Sequence, residues 1–372
     1  MKKQPSYLAL YSRIRDQITS GIYTAGSRLP SKRTMADNEN VSVITVEHAL
    51  ALLEEEGYIE TRPRSGYFVI YQSGHFFGSP ENGRERGAAD PGPEKEEASD
   101  QSGFPSGQGY PSAEQARFSF PFPTFARAMR KVLTEYGERI LTKSDPFGTR
   151  ELREVLCGYL ARSRGIFVTP DRLIIGAGAE YLYSLVVQMI GRDRIYGLED
   201  PSYDKIRKVY EANGAVCDPL RMGEDGIRSE ELVRTQARAL HVTPFHSFPT
   251  GITAGASKRR EYLEWAETRN AYIIEDDYDS EFTLQSKSVD TLFSLEPENS
   301  VLYMNTFSRT IAPSMRLGYM ILPGHCCDVL KEKIAFYSCT VPVFEQYVLA
   351  EFIRSGEFER HINRVRRQLR RR

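Results

Sequence analysis

The sequence lacks any long apolar segment. No stretch of the 372-residue chain approaches the run of about 18 apolar residues that a membrane-spanning helix requires. The N-terminus, Met1 to Ser6, runs from two lysines into Gln, Pro and Ser, without the apolar core of a secretory signal peptide. We therefore expect a cytoplasmic protein that neither enters nor crosses a membrane.

Cysteine is scarce, and charge of one sign is not in excess. The five cysteines are odd in number and include no C-x-x-C pair, so the sequence predicts neither a disulfide framework nor a zinc site. We expect reduced thiols and no bound metal. The formal net charge of −1 argues neither for nor against nucleic acid. The cysteines are Cys157, Cys217, Cys326, Cys327 and Cys339.

Composition divides the chain into three regions. Its length exceeds one ordinary compact core, so we expect two domains or one large α/β domain with an appendage. Residues 72–117 are rich in Gly, Pro, Ser, Glu and Gln and carry four basic against eight acidic side chains, which predicts a flexible linker. The alternative is a poorly patterned part of the second domain. The two flanking regions, 1–71 and 118–372, are patterned for helices and strands.

Residues 1–71 carry the pattern of a helical domain that ends in a β-hairpin. Apolar residues recur at helical spacing near the N-terminus, and glycines close this first helix. Ser31 and Ser42 are candidate N-caps of two further helices. A turn with two arginines separates two short strands and is interpreted as a wing. The expected elements are a helix patterned from Tyr7 to Ile22, helices Lys32–Asn38 and Ser42–Glu56, and strands Tyr58–Glu60 and Tyr67–Tyr71 around the turn Arg62-Pro63-Arg64-Ser65-Gly66.

The same string resembles the winged helix-turn-helix of the GntR regulators at many positions. They include Leu29 to Arg33, Val41 to Val46, Leu52 to Tyr58 and Gly66 to Val69. The resemblance implies that the helix beginning at Ser42 enters the DNA major groove, with Val46, Ala49, Leu50 and Leu53 facing the core. The residues it assigns to DNA are Arg33, Ser42, Val43, Thr45, Arg62, Arg64, Ser65 and Gly66.

Two positions in the expected recognition helix differ from many GntR relatives, which carry arginines where this chain has Val43 and Glu47. Glu47 either accepts a hydrogen bond from cytosine or faces solvent. Residues 1–71 hold nine basic and eight acidic side chains, which predicts modest affinity per subunit and binding of two subunits to paired half-sites. The alternative for this region is a small protein-interaction domain.

From residue 118 onward, helical patterns and short apolar strands alternate. Such alternation predicts an α/β fold with a mixed, mostly parallel sheet between helices. The expected helices are Arg150–Ser163, Glu180–Ile190 and Lys258–Arg269, and the expected strands are Leu173–Ile175, Ala239–Val242, Tyr272–Ile274 and Val301–Asn305.

Residues 118–372 resemble the fold-type-I aminotransferases, which are pyridoxal-phosphate-dependent transferases. The order of the two domains resembles the MocR branch of the GntR regulators. A glycine-rich turn before a helix, where N–H groups can hold a phosphate, is weak alone, but further motifs follow in the family's order. The motifs are Asp145-Pro146-Phe147-Gly148 with Leu152-Arg153, Gly176 to Glu180, Glu199 to Tyr203, Thr243 to Gly251, Glu275 to Asp279 and Tyr303 to Tyr319.

The resemblance implies a site for pyridoxal 5'-phosphate. Tyr203 would stack on the pyridine ring, Asp276 would keep the ring nitrogen protonated, and Tyr278 would bond the phenolic oxygen. A carboxylate beside that nitrogen makes the ring an electron sink. The acidic run lacks the alternating ligands, central Gly and final Glu of a calcium loop, so we expect no metal there. The implied cofactor-binding residues are Gly178, Ala179, Glu180, Tyr203, Asp276, Tyr278, Thr306, Ser308 and Arg316.

One position departs from the aminotransferase pattern. Arg309 stands where relatives carry the catalytic lysine that forms the Schiff base with the cofactor. A guanidinium stays protonated and is a poor nucleophile, so covalent attachment and proton transfer by this side chain should both fail. Thr306, Ser308 and Arg316 remain as a phosphate cup, so we expect noncovalent or weak cofactor binding.

The chain ends within an arginine-rich helical pattern. Residues 359–372 hold seven arginines against one glutamate. Relatives continue into a small domain that supplies an arginine for the substrate carboxylate, so we expect the C-terminal small-domain part to be missing. The alternative is a nucleic-acid-binding tail, although basic faces are also common on ordinary amphipathic helices.

Three hypotheses follow. The first is a DNA-binding transcription regulator whose aminotransferase-like domain binds pyridoxal phosphate, senses an amino acid or amine, and forms a head-to-tail homodimer on an operator. The second is a working aminotransferase of amino and 2-oxo acids with a DNA-binding appendage, and Arg309 argues against it. The third is a degenerate protein with neither activity.

Overall fold

The computed structural model describes residues 6–62, 65–71, 120–282 and 290–369. The N-terminal part is a helical domain with a two-stranded antiparallel hairpin, as the sequence predicts. The expected linker, at 72–117, and Arg64 lie outside the described residues. The elements are α1 (Ser6–Thr19), α2 (Lys32–Glu39), α3 (Val43–Glu55), β1 (Ile59–Arg62) and β2 (Gly66–Val69).

Hydroxyl caps set the starts of α2 and α3. Ser31 Oγ accepts from the Thr34 N–H at 3.2 Å, and Ser42 Oγ accepts from the Thr45 N–H at 3.1 Å. Each bond satisfies a backbone donor that the first turn of a helix leaves free. The predicted core residues of α3 are confirmed, since Val46, Ala49, Leu50 and Leu53 are each 0% exposed.

The prediction that the first helix extends to Ile22 was wrong. Ile22 is 68% exposed, because α1 ends at Thr19 and Gly21 then adopts a φ of 80°. That left-handed conformation turns the chain away from the helix axis. The 3.6-residue period therefore does not carry Ile22 onto the buried face.

The second region forms the predicted mixed sheet. Within the described residues it has seven strands in the order β3-β9-β8-β7-β6-β4-β5. Strand β9 runs antiparallel to both of its neighbours, and the other pairs are parallel. The strands are β3 (Leu173–Gly176), β4 (Ile195–Asp200), β5 (Val216–Arg221), β6 (Ala239–Val242), β7 (Tyr272–Asp276), β8 (Val301–Thr306) and β9 (Gly318–Ile321).

Helices cover both faces of this sheet. Alternate strand residues enter different cores, since Leu173 and Ile175 lie in one apolar cluster and Ile174 in the other. This alternation is typical of a sheet buried on both sides. In the described part, no helix is long and apolar enough to span a bilayer. The helices are α4 (Phe122–Tyr136), α5 (Arg150–Ser163), α6 (Ala179–Ile190), α7 (Asp204–Ala212), α8 (Ser229–Arg234), α9 (Ala256–Arg269), α10 (Leu292–Leu295), α11 (Cys327–Glu332), α12 (Val343–Arg354) and α13 (Glu357–Leu369).

The topology brings the carboxyl ends of six strands to one edge of the sheet. Strands β4, β5, β6, β7 and β8 are parallel, and β3 shares their direction because β9 runs antiparallel between β3 and β8. Ligand sites in open α/β sheets lie at such an edge. The loops that follow these strands contain most of the residues assigned to the cofactor.

Candidate ligand site and DNA-binding face

A tight turn after β3 forms one corner of the candidate site. Gly176, Gly318 and Thr306 lie in one row of the sheet. Gly178 then adopts φ 87° and ψ 178° and precedes α6, which begins at Ala179. A Cβ atom at Gly178 would lie 3.3 Å from Cζ of Arg316. Free N–H groups at a helix start and a nearby guanidinium form an arrangement that suits a phosphate.

Acidic and basic side chains flank this turn. Glu180 lies 3.0 Å from Lys205 Nζ and 3.2 Å from Arg316 Nη2. The hydrogen bond from Lys205 lowers the pKa of Glu180. Arg316 is half exposed, so its guanidinium can reach an entering anion.

A buried carboxylate lies at the end of β7. Asp276 is 4% exposed and accepts a hydrogen bond from the Tyr183 hydroxyl at 2.5 Å. Its Oδ2 lies 3.7 Å from Nε2 of His241, whose Nδ1 is 2.7 Å from the Tyr210 hydroxyl. Burial and the adjacent Asp276 raise the pKa of Tyr183, so this hydroxyl stays a donor. These contacts fix the carboxylate at the sheet edge.

Sequence reasoning missed Tyr183 and His241. His241 lies within the predicted strand Ala239–Val242, and it is the one polar residue of that strand. A buried ionisable side chain in an otherwise apolar strand signals a polar partner. Tyr183 gave no comparable signal, because tyrosines are common on the apolar face of a helix.

Arg309 lies beside the loop that follows β7. Its Nε is 2.6 Å from Oδ1 of Asp279, and its side chain is 19% exposed. Its Cζ lies 5.6 Å from the ring centre of Tyr278. Asp279 also contacts His246, with Oδ2 3.3 Å from Nδ1, and the Tyr278 hydroxyl donates to the His246 carbonyl at 2.9 Å. The guanidinium of Arg309 is therefore held in a charge pair, and its assignment to the lysine position stays a prediction.

Three more residues assigned to the cofactor, Thr306, Ser308 and Tyr203, lie at or shortly after the ends of strands β8 and β4. Thr306 is buried at the end of β8, and the Ser308 hydroxyl donates to the Met315 carbonyl at 3.2 Å. The ring of Tyr203 is 6.1 Å from that of Phe248. The assignments of Ala179, Tyr203, Tyr278, Thr306 and Ser308 to a cofactor stay predictions.

A buried glutamate holds the loop between β6 and α9. Glu199 accepts from the Thr243 N–H at 3.0 Å and from the Ser247 hydroxyl at 2.6 Å. Burial raises the pKa of Glu199 to about 7, and these two hydrogen bonds oppose that shift. The loop that borders Tyr278 is thus anchored to the end of β4.

Another buried carboxylate caps α10. Glu275 accepts from the N–H groups of Leu292 and Phe293 at 2.8 and 2.9 Å. Burial, together with the charge of Asp277, raises the pKa of Glu275 to about 8. Within the described part of the chain, Glu275 makes no contact with the predicted cofactor residues. Its role is to support the fold behind the site.

The predicted DNA-binding residues that the structure describes lie in or beside α2, α3 and the hairpin. Arg33, Ser42, Val43, Arg62 and Ser65 are exposed, Thr45 and Gly66 are half-buried, and Gly66 has φ 103°. The hydroxyls of Ser42 and Thr45 are 2.9 Å apart, so in the free protein they bond each other. Arg62 pairs with Glu60 at 2.7 Å and covers the Phe68 ring. Their roles toward DNA stay predictions.

Glu47 lies on the exposed side of α3. Its Oε1 is 3.0 Å from Nζ of Lys32, at the start of α2. Because both side chains are well exposed, the pair is worth little to stability. The carboxylate therefore has a neighbouring cation that offsets its repulsion from phosphates.

Together these features define a class of protein. A capped helix-turn-helix with a hairpin wing precedes a mixed sheet whose edge carries a glycine turn, a buried carboxylate and an arginine loop. This is a winged helix-turn-helix DNA-binding domain joined to an aminotransferase-like domain.

Comparisons with known proteins agree with this class. Residues 6–69 match the gntR family of bacterial regulatory proteins. The chain is 35% identical over 363 residues to the HTH-type transcriptional regulator YdeL of Bacillus subtilis, covering 98% of this chain and 76% of YdeL. It is 29% identical over 373 residues to the probable rhizopine catabolism regulatory protein MocR of Rhizobium meliloti, covering 98% and 74%.

The aminotransferase likeness extends to solved structures. The α-aminoadipate aminotransferase LysN of Thermus thermophilus, solved with N-(5'-phosphopyridoxyl)-L-leucine, is similar with a TM-score of 0.60 and 25% identity. The match covers 70% of this chain and 66% of LysN. The chain therefore belongs to the GntR family of transcription regulators, in its MocR-type branch, and its second domain has the aminotransferase fold.

Proposed function

We propose that this chain is a ligand-responsive regulator whose aminotransferase-like domain binds pyridoxal 5'-phosphate, or its adduct with an amino acid or amine, without a covalent bond. The main supporting observation is the pair between Arg309 and Asp279 at 2.6 Å. By the resemblance, Arg309 occupies the position at which aminotransferases carry the lysine that bonds to the cofactor, whereas residues suited to the ring and the phosphate are present.

The described residues fit a phosphorylated pyridine. Asp276 would hold the ring nitrogen, since its carboxylate is buried and fixed by the Tyr183 hydroxyl. Gly178, the start of α6 and Arg316 would hold the phosphate, and the closeness of Gly178 to Arg316 leaves no room for a Cβ without displacement. When bound, the group supplies an electron-withdrawing ring.

Transamination is disfavoured by the chemistry of Arg309. A guanidinium keeps its proton near neutral pH and attacks carbonyl carbon poorly. It also cannot accept the proton that a general base must remove. Pairing with Asp279 also holds the guanidinium in place. The domain therefore senses a ligand instead of turning it over, which also disfavours the aminotransferase alternative.

The DNA side of the proposal follows from the N-terminal domain. We propose that two chains in a head-to-tail dimer place their α3 helices in adjacent major grooves of paired half-sites. Ser42 and Val43 would face base edges, and Arg33 and Arg62 would face phosphates. The protein would act in the cytoplasm, where the chromosome is.

A titration with pyridoxal phosphate tests the ligand site. Absorbance and borohydride treatment followed by mass spectrometry are applied to the wild type and to Arg309→Lys, with Asp276→Asn as a matched control in each background. We expect saturable binding in both proteins, a borohydride-stable adduct only in Arg309→Lys, and weaker binding with Asp276→Asn.

Other results would contradict the proposal. An adduct in the wild type would show that another lysine serves and that the argument from Arg309 is wrong. Absence of binding in both proteins would show that the site does not hold this group.

A further inference from the structure

A buried contact joins the DNA-binding domain to the start of α9. Ala256, the first residue of α9, is 3% exposed and packs in the apolar core of the N-terminal domain. Its N–H donates to the Glu56 carbonyl at 3.0 Å. Glu56 directly follows α3, so the end of the expected recognition helix and the start of α9 are linked through the backbone.

Two charged side chains are buried at this contact. The Tyr11 hydroxyl donates to Glu56 Oε2 at 2.6 Å. Glu56 is 3% exposed and Arg259 is 1% exposed, and Arg259 Nη2 lies 3.9 Å from Glu56 Oε2. Within the described part of the chain, Nε and Nη2 of Arg259 have no hydrogen-bond acceptor. Unused donors on a buried guanidinium are costly, so a small shift changes the energy of this contact strongly.

The same guanidinium reaches the loop that leads from the candidate site. Arg259 Nη1 donates to the Ala254 carbonyl at 3.3 Å. The Ala254 N–H in turn donates to the Pro244 carbonyl at 2.7 Å, which closes the loop 243–255 on itself. A displacement of the loop at its β6 end therefore moves Ala254, the residue whose carbonyl Arg259 binds.

The other side of this loop borders the candidate ligand site. His246 contacts Asp279, the partner of Arg309, at 3.3 Å. Ser247 is held to buried Glu199 by a hydrogen bond of 2.6 Å. The loop thus has one end at the site and the other at the junction with the DNA-binding domain.

We infer that Arg259 and Glu56 are positioning residues through which the loop 243–255 sets the placement of the DNA-binding domain. A ligand in the candidate site shifts the loop, and the loop shifts Ala254 and Arg259. The contact between Arg259 and Glu56 then becomes stronger or weaker, which changes the fraction of chains that can bind DNA. The identity of the ligand rests on the proposed function, whereas the contact does not. Coupling between two sites is a reciprocal free energy and can be measured from either site.

A double-mutant cycle tests this coupling without any ligand. Ser247→Ala frees the loop from Glu199, and Glu56→Gln with Arg259→Met removes both buried charges together, which leaves no unpaired charge. Affinity of the full chain is measured for a duplex that the wild type selects from a random-sequence pool. We expect Ser247→Ala to change the dissociation constant by at least about fivefold alone and to have no effect in the double variant.

Two controls separate positioning from general damage. Glu359→Gln with Arg162→Met removes an exposed pair, 2.6 Å apart, that lies wholly in the aminotransferase-like domain, and it should leave the Ser247→Ala effect unchanged. Arg259→Lys keeps the charge but not the fork that reaches both Ala254 and Glu56, so it should give an intermediate effect. It also replaces the double variant if that protein does not fold.

Pyridoxal phosphate, used as the probe ligand, distinguishes this inference from the proposed function. Binding that shifts DNA affinity in the wild type but not in the double variant supports both. No binding, with coupling still present in the cycle, overturns the proposed ligand and supports the linkage. The linkage is overturned if pyridoxal phosphate shifts both proteins equally, or if Ser247→Ala acts equally in both backgrounds or in neither.

Discussion

Two glycines allow one substitution to be compared in opposite backbone settings. Gly178 has φ 87° and ψ 178°, a conformation that only glycine adopts without strain. Gly158 lies inside α5, where alanine is favoured because it loses less backbone freedom on folding. We therefore expect Gly178→Ala to destabilise the fold and Gly158→Ala to stabilise it.

The surroundings set the magnitudes. A Cβ at Gly178 would lie 3.3 Å from Cζ and Nη2 of Arg316, whereas at Gly158 the nearest atom is the flexible end of Arg162, at 3.2 Å. Strain at the first position costs about 1–3 kcal/mol, and alanine at the second gains about 0.4–1 kcal/mol. The free energies of unfolding of the two variants should differ by about 1.5–4 kcal/mol.

Gly178→Ala should also weaken the ligand. Displacement of Arg316 removes a guanidinium from the turn that would hold the phosphate, and we expect at least a roughly tenfold loss of affinity for pyridoxal phosphate, about 1.4 kcal/mol. Gly158→Ala lies away from this turn and should leave the affinity unchanged.

Urea unfolding and a fluorescence titration measure the two quantities. If both variants shifted the free energy of unfolding in the same direction, the backbone conformation at Gly178 would be wrong. If Gly178→Ala lowered stability but left affinity unchanged, the turn would have a structural role alone, and the phosphate assignment would fail.

Two further predictions concern a helix cap and a buried carboxylate. Ser42→Ala should cost about 1 kcal/mol in thermal unfolding because α3 loses its cap, and Ser42→Asp should restore stability but not DNA affinity if the hydroxyl also faces the bases. Glu275 has a folded-state pKa of about 8, above its unfolded value of about 4.3, so its protonated form stabilises the fold at low pH and this contribution is lost as the pH rises through about 8. Urea unfolding from about pH 5 to about pH 9 should therefore show a decline, up to about 3–5 kcal/mol, that Glu275→Gln largely removes; equal declines in both proteins would assign the effect to other groups.

Local features of the sequence predicted much of the fold. Ser31 and Ser42 are caps whose effect depends only on neighbouring backbone groups, and both act as predicted. Helix Arg150–Ser163 and strand Ala239–Val242 have the predicted bounds, because their apolar periods are long or uninterrupted. The assignment of Arg309 to the lysine position rests on a motif of consecutive residues, needs no three-dimensional information, and stays a prediction.

Features that depend on distant parts of the chain could not be predicted in this way. Tyr183 and Asp276 are separated by 93 positions in the sequence, and the burial of Glu56 depends on packing against α9. Strand β5 was missed because it is the outermost strand on one side of the sheet, where Val216 is 61% exposed and the apolar run is broken. The spacing of apolar residues indicates which face of a helix or strand is buried, but not which other element packs against that face.

The structure also bears on whether the aminotransferase-like domain is a decayed enzyme. Replacing a lysine by the larger, permanently charged arginine in a decaying site would leave an unpaired cation, which is costly away from water. Here Arg309 meets Asp279 at 2.6 Å, while Asp276 remains buried and bonded to Tyr183. The paired charge of Arg309 and the fixed carboxylate of Asp276 therefore agree with the proposed recognition site and disfavour the hypothesis that both activities are lost.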